Sequence, residues 1–289
     1  MKSGFVSLIG RPNVGKSSIL NYLIGMKLAI VTNKPQTTRN SMKFIYNDDR
    51  MQVIFFDNPG YQRPKNKLGE RMNMTIEKNM VDGDLNLYVM DESKETGPLD
   101  QMVLDMAARD KKPKILLINK MDLLDAQELS QLKERYENLS LFDAIVPISA
   151  HSGEGFEELL DRIYGYLPEG PKFYGDDEIT DVNIRNIMEE ILREKCLLFL
   201  DEEIPHGIYI DTEEFHEEED RVKIRMTLYL ERENHKGMVI GKEGKMIKRI
   251  LSAAEKDMTE FLEKKVKLKI DIKIRKNWRK KSGLVQKWF

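Results

Sequence analysis

The sequence is poor in features that define several classes of protein. It has one cysteine, Cys196, among 289 residues, which excludes a fold held together by internal disulfides. No apolar run approaches the roughly 18 residues that a transmembrane helix needs. The apolar segment after residues 1–4 is too short for a secretory signal and has no small-residue cleavage site. These absences predict a cytoplasmic protein that does not span a membrane.

The composition is that of a folded chain with an uneven distribution of charge. Hydrophobic residues make up 40% and charged residues 33% of the sequence, and 289 residues suffice for two domains. Residues 236–289 contain 17 Lys and Arg and 6 Asp and Glu, whereas residues 1–235 contain 30 and 43. A basic end on an acidic body predicts a polyanionic partner such as nucleic acid, with a merely solvated lysine-rich surface as the alternative.

Residues 1–167 alternate short apolar runs with longer amphipathic segments, the pattern of a doubly wound sheet with crossover helices. The apolar runs predict strands at 4–9, 42–47, 51–57, 85–91, 114–119 and 144–148. The segments between them predict helices at 16–25, 68–82, 99–110, 126–138 and 155–166. The first part of the chain is therefore predicted to be an α/β domain with a mixed sheet.

The sequence LPEGP at 167–171 ends this pattern, because its two prolines and its glycine cannot continue a helix. We predict domains at 1–170 and 181–289, joined by a linker at 171–180. The later part of the chain predicts a different, α+β order of elements, with a glycine-containing turn before the second helix. In chain order these are a helix at 182–200, strands at 207–215 and 221–231, a helix at 243–263 and a strand at 266–274.

A phosphate-binding loop is predicted at 10–17, where the sequence GRPNVGKS fits GxxxxGK[ST] between a strand and a helix. Gly15 would let backbone amides approach the phosphates, and Lys16 would bridge the β- and γ-phosphates. The hydroxyl of Ser17 would ligate Mg²⁺. Asn13 and Ser18 complete the predicted contacts of this loop with the nucleotide.

The base is selected by the sequence NKMD at 119–122, which follows a predicted strand. The carboxylate of Asp122 can accept hydrogen bonds from N1–H and the 2-amino group of guanine, which adenine does not offer, so GTP is favoured over ATP. Asn119 is expected to support the loops near the base, and the stem of Lys120 to cover its face. Ser149 and Ala150, after the last predicted strand, would supply a backbone amide for guanine O6.

Two further segments would sense the γ-phosphate. The sequence DNPG at 57–60 ends a strand, so that Asp57 would hold the Mg²⁺ shell and the amide of Gly60 would meet the γ-phosphate. The segment PQTTR at 35–39 would supply a switch threonine to Mg²⁺, which we predict to be Thr38, with Thr37 as the alternative. Lys16, Thr38 and Gly60 are thus the predicted catalytic residues. Both segments should be ordered with GTP and loosened after hydrolysis.

The second domain contains a GxxG loop at Gly241–Gly244. In a KH domain this loop clamps a few single-stranded nucleotides through its backbone. Two strands before the loop, a helix that starts at it and a strand after it are the context that a KH domain requires. The intervening Lys242 and Glu243 and the nearby Lys245 and Lys248 are predicted to contact RNA, Glu243 also being suited to the first turn of a helix.

A basic cluster near the C-terminus includes an aromatic residue, which suits neutralisation of the RNA backbone and stacking on bases. It consists of Arg275, Lys276, Trp278 and Arg279. Trp278 has an alternative interpretation as an anchor in the core of the domain.

The motifs GRPNVGKS, QTTR, DNPG, NKMD and SA in chain order, followed by HKGMVIGKEGKMIKRI and KNWR, resemble the Era family of bacterial GTPases over nearly the whole chain. The resemblance implies a Ras-like P-loop GTPase domain followed by a type II KH domain. It also implies Mg²⁺-dependent hydrolysis of GTP to GDP, binding to the 3′ end of 16S rRNA and a role in maturation of the small (30S) ribosomal subunit, by a monomer.

Two positions bear on the chemistry that the resemblance implies. Tyr61 follows DNPG where Ras-type enzymes have the glutamine that orients water, so slow intrinsic turnover is expected. Asn13 matches an asparagine that helps to bind K⁺ in the phosphate loop of related GTPases, which makes K⁺ a second cofactor hypothesis.

Two alternative functions remain open from the sequence. A nucleotide-gated scaffold with negligible catalysis is compatible with Tyr61. A peripheral GTPase of the inner membrane would use the basic C-terminus to bind anionic lipid.

Overall fold

The computed structural model describes residues 1–32, 34, 37–93, 95–201 and 203–289. The chain forms two compact units, the first containing residues 1–65 and 69–181 and the second containing residues 66–68 and 182–289. Pro35 and Gln36 of the predicted switch segment lie outside the described residues. The predicted boundaries at 170 and 180 stay a prediction.

The first unit is built around a six-stranded sheet with helices between its strands. Its strands are β1 (Lys2–Ile9), β2 (Met42–Asn47), β3 (Met51–Asp57), β4 (Leu85–Met90), β5 (Lys114–Ile118) and β6 (Ala144–Pro147). Its helices are α1 (Lys16–Ile24), α2 (Lys67–Asp82), α3 (Pro98–Arg109), α4 (Ala126–Glu137) and α5 (Phe156–Tyr166). The strand order is β2-β3-β1-β4-β5-β6, with only β2 antiparallel to its neighbour among these strands.

This topology places the predicted nucleotide motifs at one edge of the sheet. Strand β1 lies between β3 and β4, so the chain order reverses there, and ligands of such sheets bind beyond the carboxyl ends of the strands at this point. The phosphate loop follows β1, DNPG follows β3 and NKMD follows β5. Strands β1, β3, β4 and β5 are almost entirely buried, since helices cover the sheet and apolar runs such as that of β3 face the core on both sides. The predicted α/β class with a mixed sheet is confirmed.

The segment after α5 lies against the sheet within the first unit. The amide of Ile45 donates to the carbonyl of Ile179 at 2.9 Å, and Phe44 and Thr180 form an antiparallel bridge beside β2. The side-chain oxygen of Gln52 accepts from the amide of Phe173 at 2.7 Å. Part of the segment predicted to be a linker is thus hydrogen-bonded to β2 and β3.

The second unit is a three-stranded sheet with helices. Its elements are α6 (Ile184–Phe199), β7 (Ile208–Glu217), β8 (Arg221–Leu230), α7 (Asn234–Ile240), α8 (Lys245–Leu262), β9 (Lys265–Ile274) and α9 (Ser282–Trp288). Strand β8 is central, antiparallel to β7 and parallel to β9. The order α-β-β-α-α-β, before the added α9, confirms the predicted type II KH arrangement. Helices α7 and α9 were not predicted from the sequence, because seven residues are too few to show a helical period.

No helix in the described part of the chain is long and apolar enough to cross a membrane.

Candidate nucleotide site and nucleic-acid interface

The phosphate loop runs from the end of β1 to the start of α1, where its glycines are required by space as well as by backbone angle. Gly15 has φ +98°, and a Cβ atom there would lie 2.1 Å from Nδ2 of Asn119. A Cβ atom on Gly10 would lie 2.6 Å from the carbonyl oxygen of Val89. The loop therefore ends at the N-terminus of α1 with its backbone open, an arrangement that favours an anion.

Lys16 is buried in this loop, with its ammonium group held by the backbone. Nζ donates to the carbonyl oxygens of Gly10 and Arg11, both at 3.0 Å. Burial lowers the pKa of Lys16 to about 8, although the nearby carboxylate of Asp57 raises it. A buried lysine without a facing anion is a costly arrangement, which a phosphate group would relieve.

Three oxygen atoms predicted to surround Mg²⁺ lie together. Oγ of Ser17 is 2.8 Å from Oδ2 of Asp57 and 3.1 Å from Oγ1 of Thr38, and the last two atoms are 3.4 Å apart. Oxygens that share an octahedral Mg²⁺ at about 2.1 Å stand about 3.0 Å apart, and hydroxyl and carboxylate are donors that this ion accepts. The residues present therefore fit the ion. Thr37 instead donates to the carbonyl oxygen of Lys34 at 2.7 Å, so the geometry favours Thr38.

The DNPG turn lies against the phosphate loop. A Cβ atom on Gly60 would lie 2.5 Å from the backbone nitrogen of Pro12, and the amide of Tyr61 donates to the carbonyl oxygen of Gly10 at 3.0 Å. The ring of Tyr61 packs against the core cluster that includes Ile76 and Tyr88, and burial raises the pKa of its phenol. Tyr61 is not among the described residues that line the nucleotide cavity, so this position does not present a group that orients water there.

Asn119 joins the phosphate loop to the loops near the base. Nδ2 of Asn119 donates to the carbonyl oxygen of Val14 at 2.8 Å, and Oδ1 accepts from the amide of Ala150 at 3.2 Å. Asp122 is oriented by Ser149, whose Oγ lies 2.5 Å from Oδ1 of the carboxylate. Ser149 therefore supports Asp122 through its side chain, a contact that the sequence analysis did not foresee.

These elements surround a cavity of about 530 Å³. It is lined by predicted residues from all the nucleotide motifs, namely Asn13, Gly15, Lys16, Ser17, Ser18, Thr37, Thr38, Gly60, Asn119, Lys120, Asp122 and Ala150. Asp57 and Ser149 are completely buried behind this lining. The cavity also includes residues to which the sequence analysis gave no role, namely Pro12, Ile30, Val31, Thr32, Leu123 and His151. Apart from Pro12, which belongs to the phosphate-loop motif, these residues lie outside the motifs, and only the fold brings them to the site.

Arg11 is a further residue without a predicted role. Its guanidinium donates to Asp91 at 2.7 Å and to Asp100 at 2.8 Å. Asp91 also pairs with Nζ of Lys120 at 3.3 Å. A carboxylate at the end of β4 thus contacts residues of both the phosphate loop and the base loop, which lie far apart in sequence.

The GxxG loop connects α7 to α8 in the second unit. Gly241 has φ +73°, and a Cβ atom there would lie 2.6 Å from Cβ of Met246. Gly244 has φ +72° and precedes the first residue of α8 with open space around it. Lys242 and Glu243 are exposed between the two glycines. The turn is therefore tight at its first glycine and open at its second.

The predicted basic residues of this loop are available to a ligand. Lys245 and Lys248 are exposed on the first turns of α8. Nζ of Lys245 lies 3.0 Å from the carboxylate of Glu243, and both side chains are largely exposed. Beside the loop, a groove of about 930 Å³ is lined by Ile247 and Leu251 of α8 and by residues of β7, β8 and β9, among them Ile270. The groove combines apolar residues with charged residues of both signs, namely Lys223, Arg225, Lys267 and Lys269 together with Glu214 and Asp271.

The structure corrects the prediction that Trp278 stacks on a base. Trp278 is completely buried, and its Nε1 donates to the carbonyl oxygen of Gly207 at 2.9 Å. Its ring lies parallel to that of Phe289 at 5.8 Å and edge-on to that of Trp288 at 5.3 Å. The alternative interpretation, an anchor in the core, is the one that the structure supports. Charge and aromatic content in the sequence do not reveal which side of a turn faces the core.

Arg279 is also engaged within the protein. Its guanidinium donates to the buried carboxylate of Glu231 at 2.5 and 2.9 Å, and its predicted contact with RNA stays a prediction. Arg275 and Lys276 are exposed, with the Arg275 guanidinium 5.6 Å from the centre of the Tyr229 ring. Of the predicted C-terminal cluster, these two residues are the ones placed to meet a ligand.

Two family models match the chain. One is described as 50S ribosome-binding GTPase and matches residues 5–120, and the other is described as KH domain and matches residues 203–279. GTPase Era of Caldicellulosiruptor saccharolyticus is 45% identical over 96% of this chain and 94% of its own. GTPase Era of Clostridioides difficile is 42% identical over 96% of this chain and 95% of its own.

Two solved structures resemble the whole chain. Era in complex with MgGDPNP and nucleotides 1506–1542 of 16S ribosomal RNA is 32% identical, with a TM-score of 0.94 and coverage of 100% of this chain and 98% of the other. A tyrosine-to-alanine variant of Aquifex aeolicus Era bound to GDP·AlF4⁻ is 32% identical, with a TM-score of 0.93 and coverage of 100% and 99%.

Proposed function

This chain belongs to the Era family of GTPases, and we propose that it is a Mg²⁺-dependent switch that binds 16S rRNA near its 3′ end and assists maturation of the small ribosomal subunit. The observation that carries the proposal is the presence of two separate, complete sites in one chain. In the first unit, the side chain of Asn119 connects the phosphate loop to Ala150 in the guanine-nucleotide site. Gly241 fixes a tight GxxG turn in the second.

The residues of the nucleotide site are proposed to have different roles in phosphoryl transfer. Lys16 and the amides of the loop from Asn13 to Ser18 would hold the β- and γ-phosphates, and the amide of Gly60 would meet the γ-phosphate. Ser17, Thr38 and Asp57 would hold Mg²⁺ and its water shell. When bound, the ion would neutralise negative charge that develops on the phosphate oxygens. These groups lower the barrier by electrostatic stabilisation of the transferring phosphoryl group.

Turnover is proposed to be slow without a partner. The ring of Tyr61 packs into the core, so water in the site is not oriented by a side chain at this position. K⁺ bound beside Asn13 is proposed as a second source of positive charge. Equal hydrolysis rates in K⁺ and Na⁺ buffers would contradict the K⁺ proposal alone.

Base selection is proposed to depend on a carboxylate that is oriented before the ligand binds. Ser149 donates to Oδ1 of Asp122 at 2.5 Å and so orients the carboxylate, while both of its oxygens keep a lone pair for the two guanine donors. The amide of Ala150 is oriented by Asn119 and would meet guanine O6, while the stem of Lys120 would cover the base. ATP would leave Asp122 without its donors, which is the basis for discrimination.

The RNA site is proposed to combine the GxxG backbone with the exposed charges around it. Single-stranded RNA would lie on the Gly241–Gly244 turn and in the groove beside α8, with its phosphates near Lys242, Lys245 and Lys248. Arg275 and Lys276 would extend this surface. We propose that the protein acts as a cytoplasmic monomer on the 30S subunit, and that peripheral contact with the inner membrane is secondary.

The test measures binding of fluorescent GTP and ATP, and GTP hydrolysis, with and without a short RNA that copies the 3′ end of 16S rRNA. The matched variant is Gly241→Asp/Gly244→Asp, which places two negative charges on the RNA loop and distorts its turn, because an added Cβ atom at Gly241 would meet Met246. The residues of the nucleotide site are not altered. We expect binding of GTP and not ATP in both proteins, and RNA binding and stimulation of hydrolysis in the wild type only.

Other outcomes distinguish the alternatives. Tight GTP binding without hydrolysis, with or without RNA, would favour a scaffold. Binding of the double-aspartate variant to RNA as tightly as the wild type would contradict the KH assignment. Retention of wild type on anionic vesicles together with a failure to bind RNA would favour a peripheral membrane role.

A further inference from the structure

One carboxylate lies between the two ends of the nucleotide cavity. Asp91 follows the last residue of β4 and is 5% exposed. It contacts Arg11 of the phosphate loop and Lys120 of the base loop. We propose that Asp91 is a positioning residue of the nucleotide site, which fixes the phosphate loop through Arg11 and the base-covering Lys120 through the same carboxylate. The inference rests on the proposed GTP site.

The contact with the phosphate loop is close and largely shielded from water. One terminal nitrogen of Arg11 lies 2.7 Å from each carboxylate oxygen of Asp91, and Nε of Arg11 lies 2.8 Å from Asp100. Oγ of Ser93 donates to Oδ1 of Asp91 at 2.6 Å. Burial raises the pKa of Asp91, but the Ser93 hydrogen bond and the charges of Arg11 and Lys120 more than offset this effect and lower it. The carboxylate is therefore a fixed negative charge.

The position of Arg11 affects the catalytic lysine directly. The carbonyl oxygen of Arg11 is one of two backbone acceptors of Nζ of Lys16, at 3.0 Å. If Asp91 is lost, Arg11 keeps its contact with Asp100 but is held less firmly, so the carbonyl oxygen of Arg11 becomes a less firmly positioned acceptor for Lys16. The phosphate end of the cavity is thus tied to Asp91 through a single intervening residue.

The base end is tied to the same carboxylate. Nζ of Lys120 lies 3.3 Å from Oδ2 of Asp91 and 3.1 Å from Oε2 of Glu92. Lys120 has φ +64° and precedes the turn that contains Asp122. An ammonium held at Asp91 stretches the aliphatic stem of Lys120 along the cavity wall, where the stem would cover the base. A stem fixed in advance loses less side-chain entropy when the nucleotide binds.

Arg11 and Lys120 each have a second acidic partner, so loss of Asp91 should leave the fold intact. The phosphate loop and the base loop would no longer share a carboxylate. Without Asp91, Arg11 keeps Asp100 on α3, and Lys120 keeps Glu92 in the loop after β4. The two loops would then be held by different elements. We therefore expect weaker nucleotide binding, because both the phosphate loop and the base loop are less firmly positioned. The residues that contact the phosphates would still be present.

The test compares Asp91→Asn with Asp110→Asn in the full chain. Asp110 is a buried carboxylate that accepts from Asn86 at 2.7 Å and from Tyr88 at 2.9 Å. Asn86 lies near the start of β4, so Asp110 is at the opposite end of that strand from Asp91. It thus controls for the general cost of replacing a buried acid.

We expect Asp91→Asn to raise the Kd for fluorescent GDP and the KM for GTP about tenfold, with kcat changed by less than about threefold. Asp91→Glu should restore part of the affinity. Asp110→Asn should lower the melting temperature and leave Kd within about twofold of wild type. Unchanged affinity in Asp91→Asn would overturn the proposal.

Double-mutant cycles separate positioning from a general loss of stability. Arg11→Gln and Lys120→Gln should each cost less affinity in the Asp91→Asn background than in wild type, by at least about threefold, because Asp91 mediates both effects. Additive effects in both cycles would overturn the shared-carboxylate proposal. If wild type itself fails to bind GTP, the proposed function fails instead, which keeps the two conclusions distinct.

Discussion

The nucleotide site and the GxxG loop differ in how far the residues predicted to bind the ligand are buried. Lys16, Asp57 and Asn119 are buried, and each is held by a hydrogen bond with another protein group. Lys242 and Glu243 are exposed on a turn whose shape is set by glycine. A small ligand is enclosed, so its partners must be oriented in advance. A polyanionic chain needs a backbone turn and accessible charge. Substitutions should therefore act sharply in the first site and gradually in the second.

The largest effect is expected where a residue predicted for the second site belongs to a core. Trp278→Ala should lower the free energy of unfolding by about 3 to 5 kcal/mol, because the indole is completely buried. Both tryptophans of the protein, Trp278 and Trp288, lie in the second unit, so fluorescence during urea denaturation reports on that unit. Trp288 retains the signal in the variant.

Trp278→Phe is the matched control for a role in RNA binding. It keeps an aromatic ring and loses the bond to the carbonyl of Gly207, at a cost of about 1 kcal/mol. The folded variant should bind RNA within about twofold of wild type. A tenfold loss of RNA affinity without a loss of stability would restore the stacking role.

The Trp278 case shows where sequence reasoning succeeded and where it failed. The strands, the helices around the nucleotide and the motif loops were predicted because each depends on local spacing, as in the strand, loop and helix around Lys16. The pairing of Arg11 with Asp91 was not predicted, since it joins residues 80 positions apart. The stacking of Trp288 on Tyr209 at 4.0 Å, which covers the C-terminal core, was missed for the same reason.

A test of the enclosed site is Asp122→Asn. Its expected effect is a loss of GTP affinity of about 100-fold, because an amide cannot accept both guanine donors and leaves one of them unpaired. Xanthosine triphosphate has a carbonyl in place of the 2-amino group, so it should bind the variant better than GTP does. Fluorescent analogues of both nucleotides measure the change.

RNA affinity is the internal control for Asp122→Asn and should remain at the wild-type value in the absence of nucleotide. A variant that still prefers GTP over xanthosine triphosphate would show that Asp122 does not contact the base.

A smaller and more gradual effect is expected from charge at the GxxG loop. Lys242→Ala/Lys245→Ala/Lys248→Ala should weaken RNA binding about tenfold and reduce the slope of log affinity against log salt by about 2, as expected for three contacts to a single strand. Titrations at several salt concentrations provide both numbers. Lys256→Ala, exposed farther along α8, should change neither, and an equal loss in that control would mean that only overall charge matters.

The smallest effect is the pH dependence of nucleotide binding, which follows from the enclosure of Lys16. Burial lowers the pKa of Lys16 to about 8 in the nucleotide-free protein, and phosphate groups facing Nζ would stabilise the charged form. Binding therefore takes up a proton above that pH, and affinity should fall about fourfold between pH about 7 and 8.5. The measurement is the Kd of fluorescent GDP across this range.

Stability of the nucleotide-free protein should respond with the opposite sign. The unfolded chain, in which the pKa of Lys16 returns to its ordinary 10.5, binds more protons than the folded protein between about 8 and that value. The contribution of Lys16 to the free energy of unfolding therefore rises with pH over this range. Lys16→Arg keeps its charge throughout, so its weaker GDP binding should be independent of pH from 7 to 8.5. If the Kd of the wild type were equally independent of pH, Lys16 would be fully charged before the phosphates bind. Burial would then have little effect on the charge of the enclosed site, which in this respect would resemble the exposed one.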